Sequence, residues 1–153
     1  MRSGPGGDVS RSRSVARTPG PDLLDDPFPA PISPCLAKSA LRPPSGSDWV
    51  YEVKWDGYRL FIERHPDGRL VLRTRGGYDW TDRFPGILAA ARNVPAKTFI
   101  IDGEAVVLND QGVSDFSALQ SAARRRSSGE VLFYGFDLLY RDGFTIAGAK
   151  KKL

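Results

Sequence analysis

Residues 58–75, YRLFIERHPDGRLVLRTR, have the pattern of a β-hairpin. Both ends of this stretch are rich in apolar residues, which is typical of strands. The Pro-Asp-Gly sequence at 66–68 is a turn signal between them. We therefore predict two antiparallel strands, over residues 58–65 and 69–75.

The chain after Asp48 continues as a mixture of strands and helices. Further strands are predicted at 49–54, 97–108 and 130–140, and helices at 81–92 and 115–125. Because hairpin turns join the strands, rather than regular strand–helix–strand units, the sequence predicts an antiparallel-rich α+β fold. The strands at 97–108 and 130–140 are nearly continuous apolar runs, so we expect burial on both faces. Where this chain alone leaves them uncovered, we expect an exposed apolar patch.

The N-terminal segment differs in composition from the rest of the chain. Nine of the twelve prolines lie in residues 1–47, and Ser-Arg repeats accompany them. We predict a disordered Pro/Ser/Arg-rich segment over 1–28, a folded domain over 29–147 and a basic tail over 148–153.

Composition narrows the classes of protein to consider. The net charge of +4 is mild, and the basic runs at 124–126 and 150–152 suit either phosphate contact or a solvated surface. Cys35 is the only cysteine, which excludes an internal disulfide. No apolar run approaches the roughly 20 residues of a membrane helix. We expect a cytoplasmic protein with no membrane partner.

The stretch 52–59, EVKWDGYR, places a lysine at a strand end beside an Asp-Gly break. A lysine is a nucleophile only when neutral, which requires burial or neighbouring cations. The Asp-Gly sequence at 56–57 gives a turn that aims Lys54 into a cleft. The alternative is an exposed strand lysine before a hairpin turn, and this motif alone leaves that open.

Three more patterns place polar or aromatic residues in strands. Arg73 and Arg75 alternate and so share a strand face, and the glycines after them let a ligand approach; a solvated hairpin face is the alternative. Asp-Gly-Glu at 102–104 puts two carboxylates in an apolar strand. If the two carboxylates are buried in that strand, they require a partner such as a metal, a ribose hydroxyl or an arginine. The alternative is that they lie on the surface at a β-bulge. The sequence FYGFD at 133–137 offers a stacking face for a base, or is core.

In their order and spacing, these motifs resemble those of the covalent nucleotidyltransferase superfamily, which holds ATP-dependent DNA ligases, RNA ligases and mRNA capping enzymes. The motifs are E-x-K-x-D-G-x-R, T-R-x-G, D-G-E and F-D-L-L. The finer similarity is to bacterial ATP-dependent DNA ligases, including the ligase part of the end-joining ligase D type. It rests on WVYEVKWDGYR at 49–59, DWTDRFP at 79–85 and FSALQ at 116–120. No G-x-x-x-x-G-K-[ST] loop is present, which excludes a P-loop ATPase.

The resemblance implies a role for each matching residue. Lys54 is the catalytic residue, which attacks the α-phosphate of ATP and carries AMP as a phosphoramidate. The implied nucleotide-binding residues are Glu52 at the adenine edge, Arg59 and Arg75 at ribose and phosphate, Glu104 at the ribose hydroxyl or a metal, and Phe136 stacked on adenine. ATP and Mg²⁺ are the implied cofactors, because pyrophosphate departure needs cations at the triphosphate. The implied fold is a nucleotidyltransferase half-domain, similar to an ATP-grasp-like ligase.

The implied function is ATP-dependent DNA strand joining in repair and recombination. Its partners are nicked or broken double-stranded DNA and end-joining proteins, at the nucleoid. The family continues with an E-G segment and a K-x-K strand, and Leu153 comes before either, so we expect a truncated fragment that forms no detectable AMP adduct alone. Two alternatives stay open: a catalytically dead nucleotide- or nucleic-acid-binding remnant, and an RNA ligase or capping-type nucleotidyltransferase, which the 79–85 and 116–120 stretches disfavour.

Overall fold

In the computed structural model of the protein, the described residues are 27–29, 32, 41–42, 45–47, 53–126 and 130–146. The elements in this part of the chain are β1 (Tyr58–Arg64), β2 (Leu70–Thr74), α1 (Pro85–Ala91), β3 (Phe99–Val106), α2 (Phe116–Arg125), β4 (Leu132–Arg141) and β5 (Phe144–Thr145). Several predictions fall on residues outside the described ones: most of 1–28, Cys35, the stretch 49–52 with Glu52, and the tail 148–153. No helix in the described ranges is long and apolar enough to cross a membrane.

The strands form one antiparallel sheet in the order β2-β1-β3-β4-β5. The predicted hairpin is confirmed, since Leu60 pairs with Thr74 and Arg64 pairs with Leu70. β3 lies at the centre of the sheet, between β1 and β4. The antiparallel α+β prediction is therefore confirmed. β5 is a short edge strand that the sequence analysis did not predict.

One face of the sheet carries the main core, and we call it the helix-covered face. On β1 it is formed by Tyr58, Leu60 and Ile62, because side chains alternate along a strand. α1 and α2 both pack against it. Its fully buried members, each 0 % exposed, are Leu60, Leu72, Phe84, Phe99, Ala105, Leu119 and Ala122.

The opposite face, called the charged face below, carries the alternate residues of the same strands. At one end a small apolar cluster consists of Phe61, Ile100 and Tyr140 with the partly buried Phe28, Ile32 and Leu139. Elsewhere this face carries ionisable side chains, namely Arg59, Glu63, Arg73, Asp102 and Glu104. The strand pattern thus separates an apolar layer from a layer of charges.

Arg64 is a charged residue at the end of the helix-covered face, where it closes the C-terminal end of α1. Its guanidinium donates hydrogen bonds to the carbonyls of Ala91 (2.6 Å), Arg92 (3.0 Å), Val94 (3.0 Å) and Ala96 (2.6 Å). It also lies 4.8 Å from the centre of the Phe99 ring. The last carbonyls of a helix have no partner within the helix, so Arg64 provides a charged donor to the carbonyls at the end of α1 and in the turn that follows it.

Two predicted elements differ from the observed ones. The helix predicted at 81–92 is a short 3-10 turn followed by α1. The two are separated at Phe84, whose φ of −133° is not helical, and Pro85 then opens α1. The strand predicted at 49–54 is not a strand in its described part, since residues 53–54 belong to an irregular segment.

β3 and β4, which were both predicted to be buried on two faces, differ in burial. Six of the eight residues of β3 are buried, as predicted. In β4 only Tyr140 is buried, so the prediction is wrong for this strand. Among the described residues only the two-residue β5 lies beyond its outer edge. Large apolar side chains are exposed here, namely Leu132, Phe136, Leu138, Phe144 and Ile146, which are 37–52 % exposed. That they form one continuous patch stays a prediction.

Candidate active site

A cleft of about 820 Å³ opens where β1 begins and β2 ends. Five of the six residues singled out from the sequence line it, namely Lys54, Arg59, Arg75, Glu104 and Phe136. The sixth, Glu52, lies outside the described residues. The four motifs therefore meet at one place, although they are far apart in the sequence.

Lys54 lies in the irregular segment 53–57, which runs along one wall of the cleft. The side chain is exposed. The next residue, Trp55, stacks on Tyr134 of β4 with ring centres 4.4 Å apart and planes 11° from parallel. The backbone N–H of Asp56 donates a hydrogen bond of 3.2 Å to the hydroxyl of Ser114. The segment is therefore held by side chains rather than by strand pairing.

Gly57 brings the Lys54 segment into close contact with β3. A Cβ at this position would lie 2.2 Å from the carbonyl oxygen of Ala105 and 2.8 Å from Val106 Cγ1. The sequence analysis assigned the Asp-Gly pair to a turn. The structure gives the glycine a different reason, because any side chain would collide with the β3 backbone.

Arg59 is held by a buried carboxylate on the neighbouring strand. Its Nε and Nη2 donate to the two oxygens of Asp102 at 3.0 and 2.7 Å, and the Asp102 side chain is 2 % exposed. The guanidinium also lies 5.3 Å from the centre of the Phe136 ring. Of the partners that the sequence left open for the Asp-Gly-Glu carboxylates, an arginine is the one that Asp102 has. Because two hydrogen bonds join the planar guanidinium to the carboxylate, they fix the orientation of the Arg59 side chain as well as its position.

Phe136 reaches the cleft through an irregularity in β4. Gly135 pairs with Gly103 and Asp137 pairs with Asp102, so Phe136 has no opposite residue in β3. Such bulges redirect a side chain relative to its strand. Phe136 is 38 % exposed, whereas the nearby Phe133 packs against the main core. β4 thus places the ring of Phe133 against the core and the ring of Phe136 in the cleft.

Arg75 lies in a turn and not in β2, contrary to the prediction. The N–H of Gly77 donates to the carbonyl of Thr74 at 2.8 Å, and Gly77 has φ of +84°, which favours glycine. Arg75 is therefore exposed at the tip of the turn. The predicted shared face with Arg73 is wrong, because Arg73 is bound at 2.9 Å to the buried Glu63 and does not line the cleft.

Glu104 is the carboxylate of the cleft whose ionisation is perturbed. Desolvation by burial raises its pKa above 4.5, the ordinary value, and Asp102 acts in the same direction. The positive charges of Arg59 and Lys54 and a hydrogen bond from the backbone N–H of Gly57 oppose this shift. Raised carboxyl pKa values are frequent at functional sites. Glu104 lies on the charged face and interacts with Lys54 and Gly57 of the lysine segment.

The sequence matches a known family. The model of the ATP dependent DNA ligase domain matches residues 32–152. The chain belongs to this family. It is 43 % identical over 133 residues to the multifunctional non-homologous end joining protein LigD of Pseudomonas aeruginosa. That match covers 87 % of this chain and 15 % of the relative.

Two further proteins are similar to this chain. The SPbeta prophage-derived DNA ligase-like protein LigB of Bacillus subtilis is 31 % identical, over 76 % of this chain and 42 % of LigB. The crystal structure of the ligase domain of Mycobacterium tuberculosis LigD is 41 % identical, with a TM-score of 0.51. It covers 61 % of this chain and 30 % of that one. The matched part of this chain therefore spans less than a third of the solved ligase domain.

Two parts of the candidate site were not predicted from the sequence. The Trp55–Tyr134 stack joins residues with no shared motif, and the tryptophan stands at a position that the motif leaves free. The Arg59–Asp102 pair was one of several options for an acid in an apolar strand. A charge in such a strand signals that a partner exists, but the partner's identity depends on the β1–β3 register.

Proposed function

We propose that this chain is part of the adenylation domain of an ATP-dependent DNA ligase, of the covalent nucleotidyltransferase type, and that Lys54 takes AMP. The observation that carries the proposal is the convergence of Lys54, Arg59, Arg75, Glu104 and Phe136 on one cleft. Each pattern alone has an ordinary structural explanation. A lysine, two arginines, a carboxylate and an exposed aromatic ring around one cleft together suit a nucleotide.

The cleft offers a separate group for each part of ATP. The exposed ring of Phe136 is a stacking surface for adenine, and the Arg59 guanidinium above it is fixed by Asp102. Arg59 and Glu104 are suited to the ribose, since they lie opposite each other on β1 and β3. Arg75, exposed on the turn, suits the phosphates. Glu52 is proposed for the adenine edge on the resemblance alone.

Lys54 is the nucleophile in this proposal. Its neutral Nζ forms a bond to the α-phosphorus while the bond from that phosphorus to the bridging oxygen breaks. Pyrophosphate leaves with the electron pair of that bond, and the proton lost from Nζ passes to solvent. Because the reacting atoms must be about 3–3.5 Å apart and aligned, the segment that carries Lys54 has to be held in place. Its contacts with Tyr134, Ser114 and Glu104 serve that need.

The residues present fit a Mg²⁺ ion that is held mainly by the nucleotide. Among the described residues no group of three or more His, Cys, Asp or Glu side chains forms a metal site. Mg²⁺ is commonly bound by one or two carboxylates together with substrate phosphates, and Glu104 is a carboxylate of the cleft. When bound, the ion neutralises charge on the departing pyrophosphate.

The biological role proposed is DNA strand joining in repair and recombination, on nicked or broken double-stranded DNA. The names of the relatives support this, since LigD of Pseudomonas aeruginosa is a non-homologous end joining protein. End-joining proteins are therefore proposed as partners, and the cytoplasm, at the nucleoid, as the location. The domain boundaries at 29 and 147 stay a prediction.

The experiment that tests this function is transfer of labelled AMP to the protein. The chain is incubated with ATP labelled at the α-phosphate and Mg²⁺, alone and with the part of the Mycobacterium tuberculosis LigD ligase domain that this chain does not match added as a second polypeptide. We expect label on Lys54 of this chain, located by peptide mapping, in the combined sample.

Lys54→Arg removes the proposed nucleophile and keeps the charge, so it should abolish the label. Lys97→Arg is the matched control, since Lys97 is also exposed and does not line the cleft. A chain that binds ATP but remains unlabelled at Lys54, even with the remainder present, would instead support the nucleotide-binding remnant.

A further inference from the structure

The segment that carries Lys54 is anchored at three points, two on the sheet and one in the loop between β3 and α2, although it has no regular secondary structure. Trp55 stacks on Tyr134 of β4 at 4.4 Å and 11°. The N–H of Asp56 donates to Ser114 Oγ at 3.2 Å, and Gly57 lies so close to β3 that a Cβ would come within 2.2 Å of the Ala105 carbonyl oxygen. Three consecutive residues after the lysine thus each have a different anchor.

Two of these anchors lie at neighbouring steps of the sheet. Tyr134 of β4 lies directly opposite Glu104 of β3, and Gly57 approaches Ala105, the next residue of β3. Gly57 leaves no room for a side chain, because even a Cβ would lie 2.2 Å from the Ala105 carbonyl oxygen. The stack is the anchor nearest to Lys54, and with the Asp56 hydrogen bond it sets the direction in which the segment leaves the sheet.

The same strand also presents the proposed base-stacking ring. Tyr134 stands two residues before Phe136, and the bulge at Phe136 turns that ring to the cleft. A single short stretch of β4 therefore fixes Phe136 directly and fixes Lys54 through Trp55. The distance between an adenine on Phe136 and the lysine nitrogen depends on both contacts.

We propose that Trp55 and Tyr134 are positioning residues, whose stacked rings hold Lys54 at the correct distance from a nucleotide on Phe136. The proposal rests on the proposed function and deepens it. Neither ring is required to touch the reacting atoms. Their role is to keep the Lys54 segment on β4 so that attack on the α-phosphorus needs no prior rearrangement.

Amide hydrogen exchange tests the anchoring without any need for ligase activity. In the unaltered chain the amides of Asp56 and Gly57 should be protected. Tyr134→Ala should speed their exchange about tenfold or more while the amides of β1 keep their protection. Tyr134→Phe keeps the ring and should behave as the unaltered chain does. Leu132→Ala, an exposed residue of the same strand, is the matched control and should change neither amide. Unchanged exchange at both amides in Tyr134→Ala would overturn the proposal.

The rate of AMP transfer tests the positioning itself, in the combined sample with the LigD remainder. Tyr134→Ala and Trp55→Ala should each slow labelling of Lys54 on the order of 10- to 100-fold, with ATP affinity within about threefold. Tyr134→Phe should restore the rate. Equal rates in Tyr134→Ala and the unaltered chain, or a Tyr134→Phe variant as slow as Tyr134→Ala, would contradict it. If the unaltered chain takes no label, the proposed function fails, and the exchange measurement still decides whether the rings hold the segment.

Discussion

The two faces of the sheet are built from the same strands and behave differently. On β1, Leu60 and Ile62 face α1 and α2 and are almost completely buried. Their neighbours Arg59 and Glu63 face the other way, and each is bound to a charge on the adjoining strand. The helix-covered face thus depends on apolar burial and the charged face on pairing.

Most of the apolar packing and most of the charge pairing thus lie on opposite sides of the strands, because side chains alternate along a strand. The cluster of Phe61, Ile100 and Tyr140 is the apolar part of the charged face. Substitutions on the helix-covered face should therefore reduce the free energy of unfolding most. Substitutions of the paired charges should reduce it less and should weaken the proposed nucleotide binding more.

The largest loss should follow Phe99→Ala on the helix-covered face. Phe99 is 0 % exposed, and truncating a buried phenylalanine typically costs about 3–5 kcal/mol. Urea denaturation measures this loss as a shift of the midpoint. Phe144→Ala is the matched control, because Phe144 is also a strand residue but is 52 % exposed. Comparable losses in the two variants would show that the helix-covered face is not the main source of stability.

Arg64→Met should cost about 2–3 kcal/mol, because helix-end carbonyls lose their donor. Methionine keeps the length and apolar contact of the side chain but donates no hydrogen bond. The control is Arg83→Met, since the exposed Arg83 guanidinium lies 5.6 Å from the centre of the Trp80 ring, a contact worth about 0.5–1 kcal/mol at an exposed site. Thermal unfolding followed by circular dichroism distinguishes the two. Equal melting temperatures for both variants would remove the role assigned to Arg64.

Asp102→Asn on the charged face should cost about 2 kcal/mol. Removing one partner of a buried ion pair typically costs 3–5 kcal/mol, and the estimate is lower here because Arg59 is 23 % exposed and water screens it. ATP affinity should fall as well, since Arg59 loses its orientation. Isothermal titration of the folded variant measures this second effect.

Glu130→Gln is the control for that variant, because its pair with Arg125 spans 3.8 Å between side chains that are more than 60 % exposed. We expect no measurable change in stability or ATP affinity there. A folded Asp102→Asn variant that binds ATP normally would separate the Arg59–Asp102 pair from nucleotide binding.

The smallest effect should be a pH dependence from Glu104. Burial raises the pKa of its carboxyl above the ordinary value of 4.5, so the folded protein holds this proton more tightly than the unfolded chain. Its contribution to stability is fully present below pH 4.5 and is lost as the pH rises through the raised folded pKa. The free energy of unfolding, measured from pH 4 upward, should therefore fall more steeply with pH in the unaltered chain than in Glu104→Gln. A steeper fall in Glu104→Gln would reverse the sign assigned to the shift.

The sequence was informative where one local rule decides the outcome. The β1–β2 hairpin needs only alternating apolar residues and a Pro-Asp-Gly turn, and its pairing was predicted correctly. The meeting of the motifs in one cleft came from the family resemblance, and the structure agrees with it. Neither result required knowledge of distant contacts.

The sequence was misleading where tertiary contacts decide. β4 is as apolar as β3, yet its burial depends on what lies beside it and not on its own residues. Gly57 looked like a turn residue, but close approach to Ala105 is its reason. Arg75 looked like a strand residue, but β2 ends one position earlier. Register and neighbouring elements determine these features, and no local pattern encodes them.

The proposed function requires that Lys54 and the proposed nucleotide-binding residues, which line one cleft, surround ATP in the way that AMP transfer needs. A crystal structure of this chain grown with ATP measures this most directly. We predict the adenine ring against Phe136, the ribose beside Arg59 and Glu104, and the α-phosphorus within reach of Lys54 Nζ. A nucleotide bound elsewhere on the sheet, or bound in the cleft with Lys54 directed away from its phosphates, would contradict the account.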